Sequence, residues 1–82
     1  MIQMNQGNTP EKRFSSGAVV ATVWLNRKKE ELDTFKTVSL VRNYKDKDDK
    51  WQSTNTFRVT DLPKAILVLN KAYEYLMLKQ ED

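Results

Sequence analysis

The chain has 82 residues and a net charge of +3, with 39% apolar and 30% charged residues, which bounds it to one small domain. A monomer of that length buries only about 60% of the surface its unfolded chain exposes, so its core is thin. The sequence holds no Cys and no His, which excludes thiol chemistry, disulfides, Cys/His zinc sites and imidazole acid–base catalysis.

Residues 1–12 read as a flexible N-terminal arm, polar and interrupted by Gly7 and Pro10. The stretch has no apolar h-region and is not expected to act as a signal peptide. The longest apolar run, Ala65–Leu69, falls far short of a bilayer span, so no membrane is expected and the cytoplasm is the default compartment. A single domain is expected over 13–80, with 81–82 as a C-terminal tail.

Phe14–Ser16 predicts a short strand that stops at Gly17. Ala18–Asn26 predicts a second, being rich in β-branched and aromatic residues (Val19, Val20, Thr22, Val23, Trp24). The charged run Arg27–Asp33 breaks that pattern, and Thr34–Tyr44 predicts a third strand. The Asp-rich stretch Tyr44–Lys50 reads as a turn, and Trp51–Thr60 as a fourth strand. Alternation puts Val19, Ala21, Val23 and Leu25 on one face and Val20, Thr22 and Trp24 on the other. In the third strand Val38 and Leu40 share a face, while Phe35, Thr37 and Ser39 point away. One face is suited to a helix, and the other is left with hydroxyls, an Arg and large rings.

Leu62–Lys79 predicts a helix, capped by Asp61 and carrying Pro63 in its first turn. Leu62, Ile66, Leu69, Tyr73 and Leu76 recur at helical spacing, flanked by Ala65 and Ala72. Leu67, Val68, Tyr75, Met77 and Leu78 lie off that stripe, an apolar surplus beyond what one sheet needs. The surplus points to a second subunit, with Val68, Tyr75 and Leu78 as candidate interface positions.

Residues 34–60 carry six cations (Lys36, Arg42, Lys45, Lys47, Lys50, Arg58) against three acids confined to one turn (Asp46, Asp48, Asp49). Cations interleaved with Trp24, Phe35, Tyr44 and Trp51 suit a single-stranded nucleic acid, whose phosphates follow charge while its bases stack on rings. The acidic turn lacks the longer ligand series, Gly bend and closing Glu of a calcium loop, so no metal is expected. There is no phosphate-cradling Gly loop, no Ser with a base beside it and no carboxylate pair that stands out. An enzyme, a cofactor and a small-molecule substrate are therefore not expected.

The order of these landmarks is informative: Phe14-Ser-Ser-Gly17, a β segment, a strand closing in Arg42-Asn-Tyr44, an acidic turn, Phe57-Arg-Val59, and Asp61-Leu-Pro-Lys64 opening a helix. In this order the chain resembles the positive-cofactor-four-like (transcriptional coactivator) proteins that bind single-stranded DNA, related in architecture to the Whirly proteins. The segment Trp51–Asn55 departs from that pattern in lacking a Gly and extra cations. The resemblance implies an α+β fold, ββββα, with a curved antiparallel sheet and a homodimer formed through the C-terminal helices. It implies nucleic-acid contacts at Arg13, Thr22, Trp24, Arg42, Tyr44 and Arg58, with Lys28 and Lys36 extending the phosphate track. The expected function is single-stranded DNA binding with little sequence specificity, RNA being the nearest variant. The alternative from another class is a dimeric protein-interaction module acting as a transcription accessory factor.

Overall fold

A computed structural model of the chain describes residues 8–27 and 34–78. Four strands, β1 (Asn8–Ser16), β2 (Val19–Arg27), β3 (Thr34–Lys45) and β4 (Trp51–Thr54), are followed by a 3-10 turn at Val59–Asp61 and helix α1 (Leu62–Met77). The strands form one antiparallel sheet in the order β1-β2-β3-β4. This is the expected ββββα arrangement.

Strand β1 begins earlier than the sequence suggests, because residues 8–12 of the expected arm pair with β2. Two features hide it from a periodicity search. Pro10 is tolerated because β1 is an edge strand with one neighbour only. The register shift between Pro10 and Lys12 inserts Glu11 as an extra residue and resets the alternation. At the other end of β1, Gly17 opens the two-residue loop to β2 with φ +60°, the positive value that a type II′ turn requires at its first position.

Strand β4 is shorter than expected. The chain leaves the sheet after Thr54, whose Oγ1 accepts the Thr56 N–H at 3.1 Å, while Arg42 Nε donates to the Thr56 carbonyl at 3.2 Å. Phe57 turns inward against the core, and Arg58 lies outside any strand.

Cross-strand partners share a face, so the register sorts the side chains. Val19, Ala21 and Val23 are fully buried on the face that α1 covers, against Ala65, Val68 and Ala72. Phe14, Leu40, Phe57, Tyr75 and Leu76 close the edges of this core. Small helix residues let α1 approach the sheet closely. Val68, expected at an intersubunit face, is 2% exposed and packs on its own sheet. Tyr75 also points to the sheet, its ring 6.0 Å from that of Phe14. Of the expected interface positions, Leu78 alone is exposed.

Of the stripe expected at helical spacing, Leu62, Ile66, Leu69 and Tyr73 lie instead on the outward face of α1, Ile66 69% exposed, with Met77 exposed beside them, and Leu76 alone packs against the core. The period is right and the phase is rotated, because bulk cannot fit where the helix lies on β2.

Candidate nucleic-acid interface

The face of the sheet away from α1 is built from rows that the register defines: Asn8–Asn26–Phe35, Pro10–Trp24–Thr37, Arg13–Thr22–Ser39, Ser15–Val20–Val41, then Asn43–Ser53 and Lys45–Trp51. No described element packs on it. Not one of these residues is a carboxylate.

Hydrogen bonds order the rows. Trp24 Nε1 donates to Ser39 Oγ at 2.9 Å. Asn26, almost buried, donates from Nδ2 to Thr37 Oγ1 at 3.0 Å and to the Phe35 carbonyl at 3.3 Å. Trp24 is thus half-buried and held edge-on to its neighbour strand. Trp51 differs, with 69% of its surface exposed and Lys45 Nζ 5.5 Å from the ring centroid. Lys45 also reaches Asp49 at 3.4 Å, in the adjoining turn. That turn is set by Asp46, which accepts the N–H groups of Asp48 and Lys50 and the Gln52 amide. The donors, Lys50 first, hold its carboxyl below the usual range.

The expected contact residues do not form one site. Arg13, Thr22 and Trp24 lie together on the open face, although Thr22 is buried between its neighbours. Arg42 and Tyr44 share the helix-covered face with Val19, because Arg42 pairs directly with Val19. Asp61 draws Arg42 and Arg58 together: its carboxylate accepts Arg58 Nε at 3.0 Å, Nη2 at 3.1 Å and the Arg58 backbone N–H at 2.9 Å, with Arg42 Nε at 3.3 Å. Those hydrogen bonds from Arg58 are the main reason that the Asp61 carboxyl is lowered to about 2. Asp61 is expected to cap α1, but its side chain bonds backward to Arg58 instead. Tyr44 stacks beneath the Arg42 guanidinium, 5.6 Å away.

Lys36 is also on the covered face, bonded to Glu11 at 3.0 Å and 5.8 Å from the Tyr75 ring. The Tyr75 hydroxyl donates to the same Glu11 oxygen. This bond, with that from Lys36, lowers the Glu11 carboxyl, and the bond to Glu11 raises the Tyr75 phenol. Lys28 lies outside the described residues. Among the described residues, no cluster of three His, Cys, Asp or Glu residues can hold a metal. Nor is any helix among them long and apolar enough to cross a membrane.

Trp51, Lys45 and Phe35, counted in the sequence among the interleaved rings and cations but not among the expected contact residues, lie on the open face. Their signal was available: the turn at Asp46–Lys50 pairs Lys45 with Trp51, and two-residue counting from either reaches Asn43 and Ser53. Compared with protein-family models, with curated proteins and with solved structures, the chain finds no match.

Proposed function

We propose that the open face of the sheet binds single-stranded nucleic acid, DNA in the first instance, with little sequence specificity. The observation that carries this reading is a face, free of carboxylates among the described residues of its strands, on which exposed rings stand beside cations. Strand phosphates are drawn to Arg13 and Lys45, and bases stack on Trp51 and Phe35. Arg42 and Arg58 are committed to Asp61 and serve the fold.

The apolar outer stripe of α1 supports a homodimer, since a second copy would bury Leu62, Ile66, Leu69, Tyr73 and Met77 together. Two copies would also present two open faces to one strand.

Fluorescence anisotropy with labelled oligothymidine, the matching RNA and duplex DNA, at several salt concentrations, tests the binding. Oligothymidine is expected to bind more tightly than duplex, with affinity falling as salt rises. Duplex bound as tightly as single strand, or no binding at all, overturns the reading. Sedimentation at micromolar concentration should give about twice the 9.6 kDa chain mass.

A further inference from the structure

The outer end of the open face holds a cleft lined by Gly17, Ala18, Asn43, Trp51, Gln52 and Ser53. Asn43 is at its centre. Its N–H donates to the Ala18 carbonyl at 2.9 Å, and across β3–β4 it pairs with Ser53. Trp51 stands on one flank, and the β1–β2 turn forms the other.

Ser53 Oγ donates to Asn43 Oδ1 at 2.8 Å. This bond fixes the amide plane yet leaves its NH2 group and one Oδ1 lone pair for a ligand. An exposed indole beside an oriented amide is the chemistry of a base reader, since the ring supplies stacking and the amide a donor–acceptor couple.

We infer that this cleft takes one unstacked nucleobase and prefers adenine, with Trp51 stacking on it and Asn43 pairing with its edge. Adenine sets an amino donor beside a ring-nitrogen acceptor on both exposed edges, N6 with N1 and N6 with N7, and an Asn amide pairs bidentately with such a couple. Cytosine offers that couple on the Watson–Crick edge alone, thymine has no amino donor, and guanine carries the couple only at N2 and N3 on its sugar edge, its O6–N7 edge presenting two acceptors. A purine also covers more of the indole. The inference rests on the single-strand reading and narrows it to one base-selective position.

Competition anisotropy tests it, using oligothymidine with one central thymine replaced by adenine, cytosine or guanine. Adenine is expected to tighten binding by about fivefold, the low end for a bidentate amide pair. Asn43→Ala should erase that preference, bringing the adenine-, cytosine- and guanine-bearing oligonucleotides to the affinity of oligothymidine. Trp51→Ala should weaken all four oligonucleotides, by roughly tenfold. If Asn43→Ala melts early, Ser53→Ala removes only the bond that holds the amide plane and should reduce the preference for adenine. Equal affinity of the wild-type protein for all four oligonucleotides overturns the base slot and leaves the single-strand reading standing. Failure to bind any of them overturns both.

Discussion

The helix-covered face and the open face of the sheet both carry cations and aromatic rings, and they use them differently. On the covered face Lys36 meets Glu11, and Arg42 meets Asp61 beneath the first turn of α1. Rings there receive cations from their own chain, as Tyr44 does from Arg42. On the open face Arg13 has no carboxylate partner among the described residues, and Lys45 meets only Asp49, a solvent-exposed turn residue. A cation near a ring is therefore not by itself a sign of a ligand site. Which side of the sheet it occupies, and whether an acid has already claimed it, decides.

The contrast is broken most severely by placing the same charge on each side. Val23→Asp puts a carboxylate where the native side chain is fully buried against α1. An unpaired buried charge costs several kcal/mol, a large share of the roughly 5–15 kcal/mol that holds a domain together. No cooperative thermal transition by circular dichroism is expected. Thr37→Asp, on the open side, keeps an acceptor for Asn26 Nδ2. It should melt near wild type while binding oligothymidine more weakly.

Acid sharpens the covered side further. The Asp61 carboxyl is lowered from its usual 3.8 to about 2. A lowered folded-state value means that the stabilisation is whole above about pH 4 and lost as pH falls towards 2. The midpoint of thermal melts should drop across that window. Asp61→Asn should lower it at neutral pH and flatten its slope between pH 4 and 2. Retention of the full slope in that variant would move the acid sensitivity to Glu11 or Asp46, whose carboxyls are also lowered.

The outer face of α1 calls for a milder disturbance. Ile66 is exposed in the single chain, so Ile66→Asp should leave the helical signal intact. Its effect should appear in sedimentation, as a shift from about twice the chain mass to the mass of one chain. An unchanged sedimentation coefficient would remove the helix stripe from the dimer argument.

How much of this was legible in the residues depends on what each element relies on. Strand β2 was plain because its partners flank it on both sides and its alternation is unbroken. The start of β1 was hidden by Pro10 and by the extra residue at Glu11, which only an edge strand accommodates. Strand β4 is shorter than its pattern suggests because Phe57 and Val59 continue a two-residue rhythm that the Thr54–Thr56 bend cuts. For α1 the period was evident, but phase depends on how close the helix can come to β2, and residue type alone does not give that distance. The surroundings of Arg42 are hidden for a related reason: its partner is Asp61, nineteen positions away in sequence and adjacent in space.

The finest test of the two faces compares Arg13 with Arg42, which the sequence reading treats as equivalent phosphate contacts. Arg13 projects from the open face in the row with Thr22 and Ser39. Arg13→Ala should leave the melt unchanged and weaken oligothymidine binding by less than about tenfold, lowering the log–log salt slope by roughly 0.7 for one lost contact on a single strand. Arg42 has 17% of its side chain exposed and bridges the Thr56 carbonyl and the Asp61 carboxylate. Arg42→Ala should do the reverse, lowering the melting temperature while the folded protein keeps the wild-type slope. Mixed results are informative too, because slope and melt report on different sides of the sheet. A flattened slope with an unchanged melt in Arg42→Ala would put the strand against the Asp61 end of the covered face. The open-face assignment would then be wrong for the phosphate track, whatever Trp51 does.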